Sequence, residues 1–311
     1  MKVDEAIHCY LAELERRNYA QRTLSEYRFD LRHLCRFLLE KNIEEVQAAT
    51  FSLLTEYQRW LFYLPKKDGG IRTVGTLNKI MAPVKGLFRF LKAEGIIVGD
   101  PSCNLENGRE PRRLPRNVLT AKEAEKILES IDTGNVRGYR ARTILEVFYS
   151  TGIRRSELIN LRLLNVNLEE ELLTIREGKG GHDRVVPLSR IACRYLETYI
   201  KGIRPQLVKN PNDDHLFLSL NGGAIHKDAL SYLVKLHSRK AGIKKHMSCH
   251  VWRHTCATHL VQNNANLRHV QEILGHRSLA TTEKYLSLTI TDLKEAHRKF
   301  HPREKSVAKD N

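Results

Sequence analysis

The sequence has few cysteines, no long apolar run and no nucleotide-binding signature, and each absence removes a class of protein. Its six cysteines, Cys9, Cys35, Cys103, Cys193, Cys249 and Cys256, stand apart, with no Cys-x-x-Cys pair. That scatter argues against a disulfide framework and fits free thiols in a reducing cytosol. No segment resembles the roughly 20 apolar residues of a membrane-spanning helix. The opening MKVDEAIHCY lacks the apolar core of a signal peptide. The expectation is a cytoplasmic chain with no membrane partner. There is no phosphate-cradling glycine loop and no cluster of carboxylates placed to hold paired Mg²⁺. Neither nucleotide hydrolysis nor two-metal chemistry has a sequence signal, and no cofactor is expected.

What is present in excess is positive charge. The formal net charge is +16, enough to make a polyanion, and nucleic acid first among polyanions, the natural partner. A merely solvated basic surface is the plainer reading of the same number. The surplus is uneven: residues 1–100 hold 16 Lys/Arg against 13 Asp/Glu, whereas residues 119–311 hold 32 against 21. A hydrophobic content of 41% lets each half bury a core, and 311 residues suggest two domains.

Residues 1–98 read as a small helical bundle. Ile7, Tyr10, Leu11 and Leu14 recur at helical spacing, as do Leu24, Tyr27, Leu31, Leu34 and Leu38. A third apolar-periodic stretch runs from about 51 to 64 and closes at Pro65 and Asp68-Gly69-Gly70; a fourth runs from 74 to 91 and stops before Gly95. Residues 99–118 read as a linker, stiffened by Pro101, Pro111 and Pro115. Its basic residues Arg109, Arg112, Arg113 and Arg116 are candidate DNA contacts, or a solvated tether. Residues 119–311 open on a capping box, Thr120 with Glu123 three residues on, and an apolar helix is expected over about 140–150. Residues 172–176 and 184–188 read as two strands of a hairpin around Glu177-Gly178-Lys179-Gly180-Gly181. The rest reads as helical, ending with a helix over about 291–300. The expected fold is mainly α with a small antiparallel β-sheet: a helical bundle followed by an α+β domain.

Two segments can carry chemistry. In His250-Val251-Trp252-Arg253-His254, positions 250 and 253 share a helix face. A guanidinium fork grips two phosphate oxygens while an imidazole exchanges a proton, so the pair suits a phosphate; a structural histidine beside a surface arginine is the bland alternative. Leu274-Gly275-His276 is followed by Tyr285, set among Thr281-Thr282-Glu283-Lys284. A tyrosine after a turn is usually core, but polar neighbours are compatible with a hydroxyl facing a charged site. With an ordinary pKa near 10 it needs a base or cationic surroundings to attack.

Thr151-Gly152-Ile153-Arg154-Arg155-Ser156-Glu157-Leu158, Gly178-Lys179-Gly180, His250-x-x-Arg253, Leu274-Gly275-His276 and Tyr285 together resemble the ordered signature of the tyrosine recombinase (phage integrase) family. Each piece is weak and the ordered set is strong. The short span from Arg253 to His276 is similar to Xer-type members. The resemblance implies a DNA-binding core-binding domain at 1–98 and a catalytic domain at 119–311. It implies that Arg154 and Arg253 clamp the scissile phosphate and that Lys179 protonates the departing 5′ oxygen. His250 would handle the tyrosine proton, and His276 would hydrogen-bond the phosphate. Tyr285 would form a 3′-phosphotyrosyl link, with Glu157 orienting its neighbours. Arg155 is expected at DNA or the surface. The implied partner is double-stranded DNA at specific sites, bound by a homotetramer, or by a heterotetramer with a related recombinase, with accessory proteins conceivable. A terminal stripe of Ile290, Leu293, Ala296 and Phe300 would dock on a neighbour or pack on its own domain.

Three rival readings stand beside this one. Cys249, His250, His254, Cys256 and His259 could hold zinc, although one helix places four tetrahedral ligands poorly. The chain could bind DNA without cutting it. It could also relax supercoils as type IB topoisomerases do.

Overall fold

In the computed structural model, residues 1–65, 69–109, 117–176 and 183–275 are described. The chain divides into two compact units, residues 1–112 and 113–311.

Among the described residues the first unit holds four α-helices: α1 (Val3–Arg16), α2 (Gln21–Glu40), α3 (Phe51–Tyr63) and α4 (Val74–Ala93). Each places an apolar stripe inward, and Leu31, Leu34, Phe37, Leu54, Tyr57, Leu61, Val84, Leu87 and Phe88 are sealed from solvent. The third and fourth helices begin at threonine caps, the Thr50 and Thr73 hydroxyls accepting from the backbone N–H of Leu53 and Thr76. Part of the stretch expected to link the domains is folded onto this unit. Leu105 joins its core. Lys85 Nζ donates to the Leu105 carbonyl at 2.6 Å, and Asn78 exchanges two hydrogen bonds with the Gly108 backbone at 2.9 and 3.0 Å.

The second unit is built around α6 (Val136–Thr151), which follows α5 (Ala121–Glu129) and packs against α8 (Arg190–Thr198) and α10 (Cys249–Gln262). It shows almost no amphipathic periodicity because it is enclosed on most sides, with Ile144, Leu145, Val147 and Phe148 fully buried. Trp252 of α10 is also fully buried, its ring edge-on to Tyr149 of α6 at 5.8 Å between centroids. The capping box at α5 forms as expected: Thr120 Oγ1 accepts from Glu123 N, and Glu123 Oε2 from Thr120 N.

A three-stranded antiparallel sheet of order β1 (Val166–Asn167), β2 (Leu172–Ile175), β3 (Arg184–Pro187) lies after α7 (Arg155–Asn160). The register pairs Leu173 with Val186 and Ile175 with Arg184, so Leu173, Ile175 and Val186 face the core. Two residues are too few for an alternating pattern, which is why β1 gave no sequence signal. The expected hairpin turn at 177–181 and the expected terminal helix lie outside the described residues. The remaining described α-helices are α9 (Lys227–Lys240) and α11 (Leu267–Leu274). Among the described residues no helix is long and apolar enough to cross a membrane.

Candidate active site

The second unit brings two chain turns and the start of a strand together. The first ends α6. Gly152 caps that helix at φ +59°, a left-handed conformation that costs glycine little. A Cβ there would lie 2.8 Å from Leu274 Cδ2 and 3.2 Å from Cys256 Sγ, so the position also needs the missing side chain. The reversal delivers Arg154 to the start of α7 in an extended conformation. Glu157, one turn in, accepts from the Arg154 backbone N–H at 2.7 Å and from Arg154 Nη1 at 2.6 Å. A carboxylate in the first turn of a helix satisfies amide donors that otherwise lack partners.

The second turn ends α11. Gly275 caps it at φ +62°. Its carbonyl accepts from Arg154 Nη2 at 2.8 Å, and the neighbouring Leu274 carbonyl accepts from Arg253 Nη2 at 2.7 Å. Arg253 Nη1 donates to the Gly152 carbonyl at 2.8 Å. Two arginines more than 90 residues apart in sequence are thereby fixed to adjacent carbonyls of one turn. Arg253 is buried and Arg154 half-buried.

The third element is the start of β3. Arg184 Nη1 and Nη2 donate to the two Glu157 oxygens at 3.0 and 2.8 Å, and Arg184 Nε donates to the Ile273 carbonyl at 3.0 Å. Glu157 thus sits between two guanidiniums. Burial alone would raise its pKa, but the bonds from Arg184 and from the Arg154 backbone, with the adjacent charges, bring it down to about 2. The carboxylate stays ionised at any ordinary pH.

His250 lies one turn before Arg253 on α10 and is exposed. Desolvation, followed by the charges of Arg253, Arg155 and Arg154, depresses its imidazole pKa below the usual histidine value. At neutral pH it is the uncharged form, which can accept a proton. The site as described concentrates cations: Arg154 and Arg184 flank the Glu157 carboxylate, Arg253 shares the α11 turn with Arg154, and the charges of Arg154, Arg155 and Arg253 all reach His250. Such a setting stabilises extra negative charge on a phosphate.

Of the residues singled out in the sequence, Arg154, Glu157 and Arg253 are joined by hydrogen bonds through one cluster, and His250 feels its field. Arg155 is half-buried and donates to Ser231 Oγ of α9 at 2.9 Å. Arg109 is exposed. Lys179, His276 and Tyr285, with Arg112, Arg113 and Arg116, lie outside the described residues. Arg184 was missed: a lone arginine opening a strand carries no local signal, and only the fold shows what it reaches.

Among the described residues, Cys249, His250, His254, Cys256 and His259 do not converge as a group placed to hold a metal ion. His259 Nε2 lies 2.9 Å from the Leu119 carbonyl, which can only accept, so that nitrogen carries the proton. Its Nδ1 is hydrogen-bonded to Tyr149 OH at 2.8 Å. Burial pushes the Cys249 thiol up to about 11 and the Cys256 thiol to about 12.

Comparison with known proteins agrees with this architecture. Residues 117–291 match the Phage integrase family, and residues 7–95 match the Phage integrase, N-terminal SAM-like domain. "Tyrosine recombinase XerC 2" of Ralstonia nicotianae is 36% identical over 284 residues, 91% of this chain and 82% of the relative. "Tyrosine recombinase XerD" of Staphylococcus aureus is 35% identical over 281 residues, 90% of this chain and 92% of the relative. Among solved structures, XerH site-specific recombinase bound to palindromic difH substrate, a post-cleavage complex, aligns with TM-score 0.72 and 26% identity over 93% of this chain and 84% of that one. XerA recombinase aligns with TM-score 0.52 and 27% identity over 97% of this chain and 100% of that one. This chain belongs to the Phage integrase family, among its Xer-like tyrosine recombinases.

Proposed function

We propose that this protein cuts and rejoins double-stranded DNA at specific recombination sites through a 3′-phosphotyrosyl intermediate. The observation that carries the reading is the fixation of Arg154 and Arg253 on the adjacent carbonyls of Gly275 and Leu274. Arg154 uses Nη1 and Nη2 once each within the described cluster, and a guanidinium has five N–H donors, so donors remain to grip phosphate oxygens.

In the reaction the Tyr285 oxygen attacks phosphorus as His250 accepts the phenolic proton. The bond from phosphorus to the 5′ oxygen breaks, and Lys179 gives that oxygen a proton. Arg154, Arg253 and His276 hold the non-bridging oxygens, whose negative charge grows in the transition state. Rejoining reverses these steps with a new 5′ hydroxyl. The phosphodiester energy stays in the protein–DNA bond, so no ATP is consumed.

Residues 1–98 act as the core-binding domain and residues 119–311 as the catalytic domain, with Arg109, Arg112, Arg113, Arg116 and Arg155 on phosphates. Four protomers, identical or shared with a related recombinase, assemble on two duplexes, with accessory proteins joining where a site demands them. The XerH and S. aureus XerD likenesses support site-specific recombination over unspecific relaxation. The test is incubation with nicked suicide duplexes drawn from a randomised library. A covalent adduct with a common sequence at the cut supports the reading; binding without an adduct on any duplex makes the protein an accessory binder.

A further inference from the structure

We propose that Arg184 is a positioning residue for the cleavage reaction, holding Glu157 and the end of α11 in place so that Arg154 is presented to the scissile phosphate. The inference rests on the recombinase reading of this site.

Arg184 touches both supports of Arg154. Its two terminal nitrogens bind the two Glu157 oxygens, and Glu157 in turn binds Arg154 through backbone N–H and guanidinium. Its Nε binds the Ile273 carbonyl, two residues before the Gly275 carbonyl that accepts from Arg154 Nη2. One planar group therefore spans α7 and the last turn of α11. A lysine offers no fork of this kind, because its ammonium is a single point of charge.

The Arg184 guanidinium is covered. A Cβ built on Gly275 would stand 3.0 Å from Arg184 Cδ and Nε and 3.1 Å from Cζ. The glycine of the Leu274-Gly275-His276 motif thus lies directly against the arginine, and all three guanidinium nitrogens already have acceptors. Arg184 spends Nε as well as both terminal nitrogens on protein acceptors and its side chain is less exposed than that of Arg154, 12% against 20%, so its place is that of a support acting through Arg154. Its backbone is held independently, paired with Ile175 at the end of β2, and β3 packs on α11. The sheet register is in this way transmitted to the site as the position of one side chain. A displacement of about 1 Å in a reacting constellation can cost about 100-fold in rate, so a support at this place has kinetic weight.

The test uses full-length protein on a suicide duplex carrying its site, with single-turnover adduct formation measured at saturating protein. Compared are the wild type, Arg184→Gln, Arg184→Lys, Arg154→Ala and the Arg154→Ala/Arg184→Gln pair. The expected result for Arg184→Gln is about 100-fold slower cleavage, with DNA affinity within about 3-fold of wild type. Arg184→Lys falls between them. The pair cleaves within about 3-fold of Arg154→Ala alone, since a residue acting through Arg154 has nothing left to position. Thermal melts of each variant identify unfolded protein; where the glutamine variant is unfolded, the lysine variant paired with Arg154→Ala carries the same comparison. Multiplied defects in the pair, wild-type cleavage by both Arg184 variants, or a loss confined to DNA affinity would overturn the proposal. A wild-type protein that forms no adduct would instead overturn the recombinase reading.

Discussion

Arg253 and Gly152 are joined by a 2.8 Å hydrogen bond from Nη1 to the glycine carbonyl, which ties one arginine of the site to the turn that delivers the other. Gly152 stands two residues before Arg154, so the geometry of the first arginine depends on a backbone the second one holds. Three consequences concern this cluster, and a fourth concerns the charge of the whole chain.

Gly152→Ala combines a left-handed φ of +59° with a Cβ only 2.8 Å from Leu274 Cδ2. Strain and overpacking each cost about 1–3 kcal/mol. The variant is expected to unfold at lower denaturant concentration by about 2 kcal/mol or more, seen as a shifted midpoint at constant slope in urea. Wild-type stability would mean that the turn relaxes freely.

Glu157 supplies a stability that depends on pH. Its folded pKa, about 2, lies below the ordinary carboxylate value of 4.5, so the folded state favours the ionised form. The contribution is complete above about pH 4.5 and fades as pH falls toward 2, at about 1.4 kcal/mol per unit of depression. Urea unfolding of wild type and Glu157→Gln at several pH values should show a gap that narrows on acidification. A gap constant from pH 7 to 3 would contradict the ion-pair assignment.

If His250 accepts the phenolic proton as proposed, its titration sets the acidic limb of cleavage. Desolvation and the charges of Arg253, Arg155 and Arg154 depress its pKa, so the free base dominates at neutrality. Adduct formation should rise with pH through a midpoint below 6.5, the ordinary value, and be flat near pH 7–8. Arg155→Gln removes one depressing charge and should move that limb upward. A limb above 6.5 in the wild type would remove His250 from the base role.

DNA binding should weaken steeply with salt. The second half of the chain carries 32 Lys/Arg against 21 Asp/Glu. For about 6–10 phosphate contacts, affinity falls about 10³–10⁵-fold between 50 and 200 mM salt. Fluorescence anisotropy on a duplex with its site reads the slope, and a flat dependence would show that phosphate contacts are few.

Much of this was legible in the residues themselves. The helices of the first unit announced themselves through apolar stripes, and Thr120 with Glu123 marked a helix start that the structure keeps. Arg154, Glu157 and Arg253 were readable as an ordered motif, and the structure joins them. The enclosed helix α6 was read short, over 140–150 instead of Val136–Thr151, because burial on most sides leaves no polar face to time its start. Arg184 was invisible for a different reason. Its meaning lies in contacts to residues 27 and 89 positions away, and no local pattern encodes them.

The central claim is that a phenol, held among cations, displaces a sugar oxygen from phosphorus. It is tested most directly by digesting the covalent protein–DNA adduct and locating the modified residue by mass spectrometry. The expected result is a nucleotide on the Tyr285 oxygen and no adduct with Tyr285→Phe. A nucleotide on any other residue, or full adduct formation by the phenylalanine variant, would contradict the account.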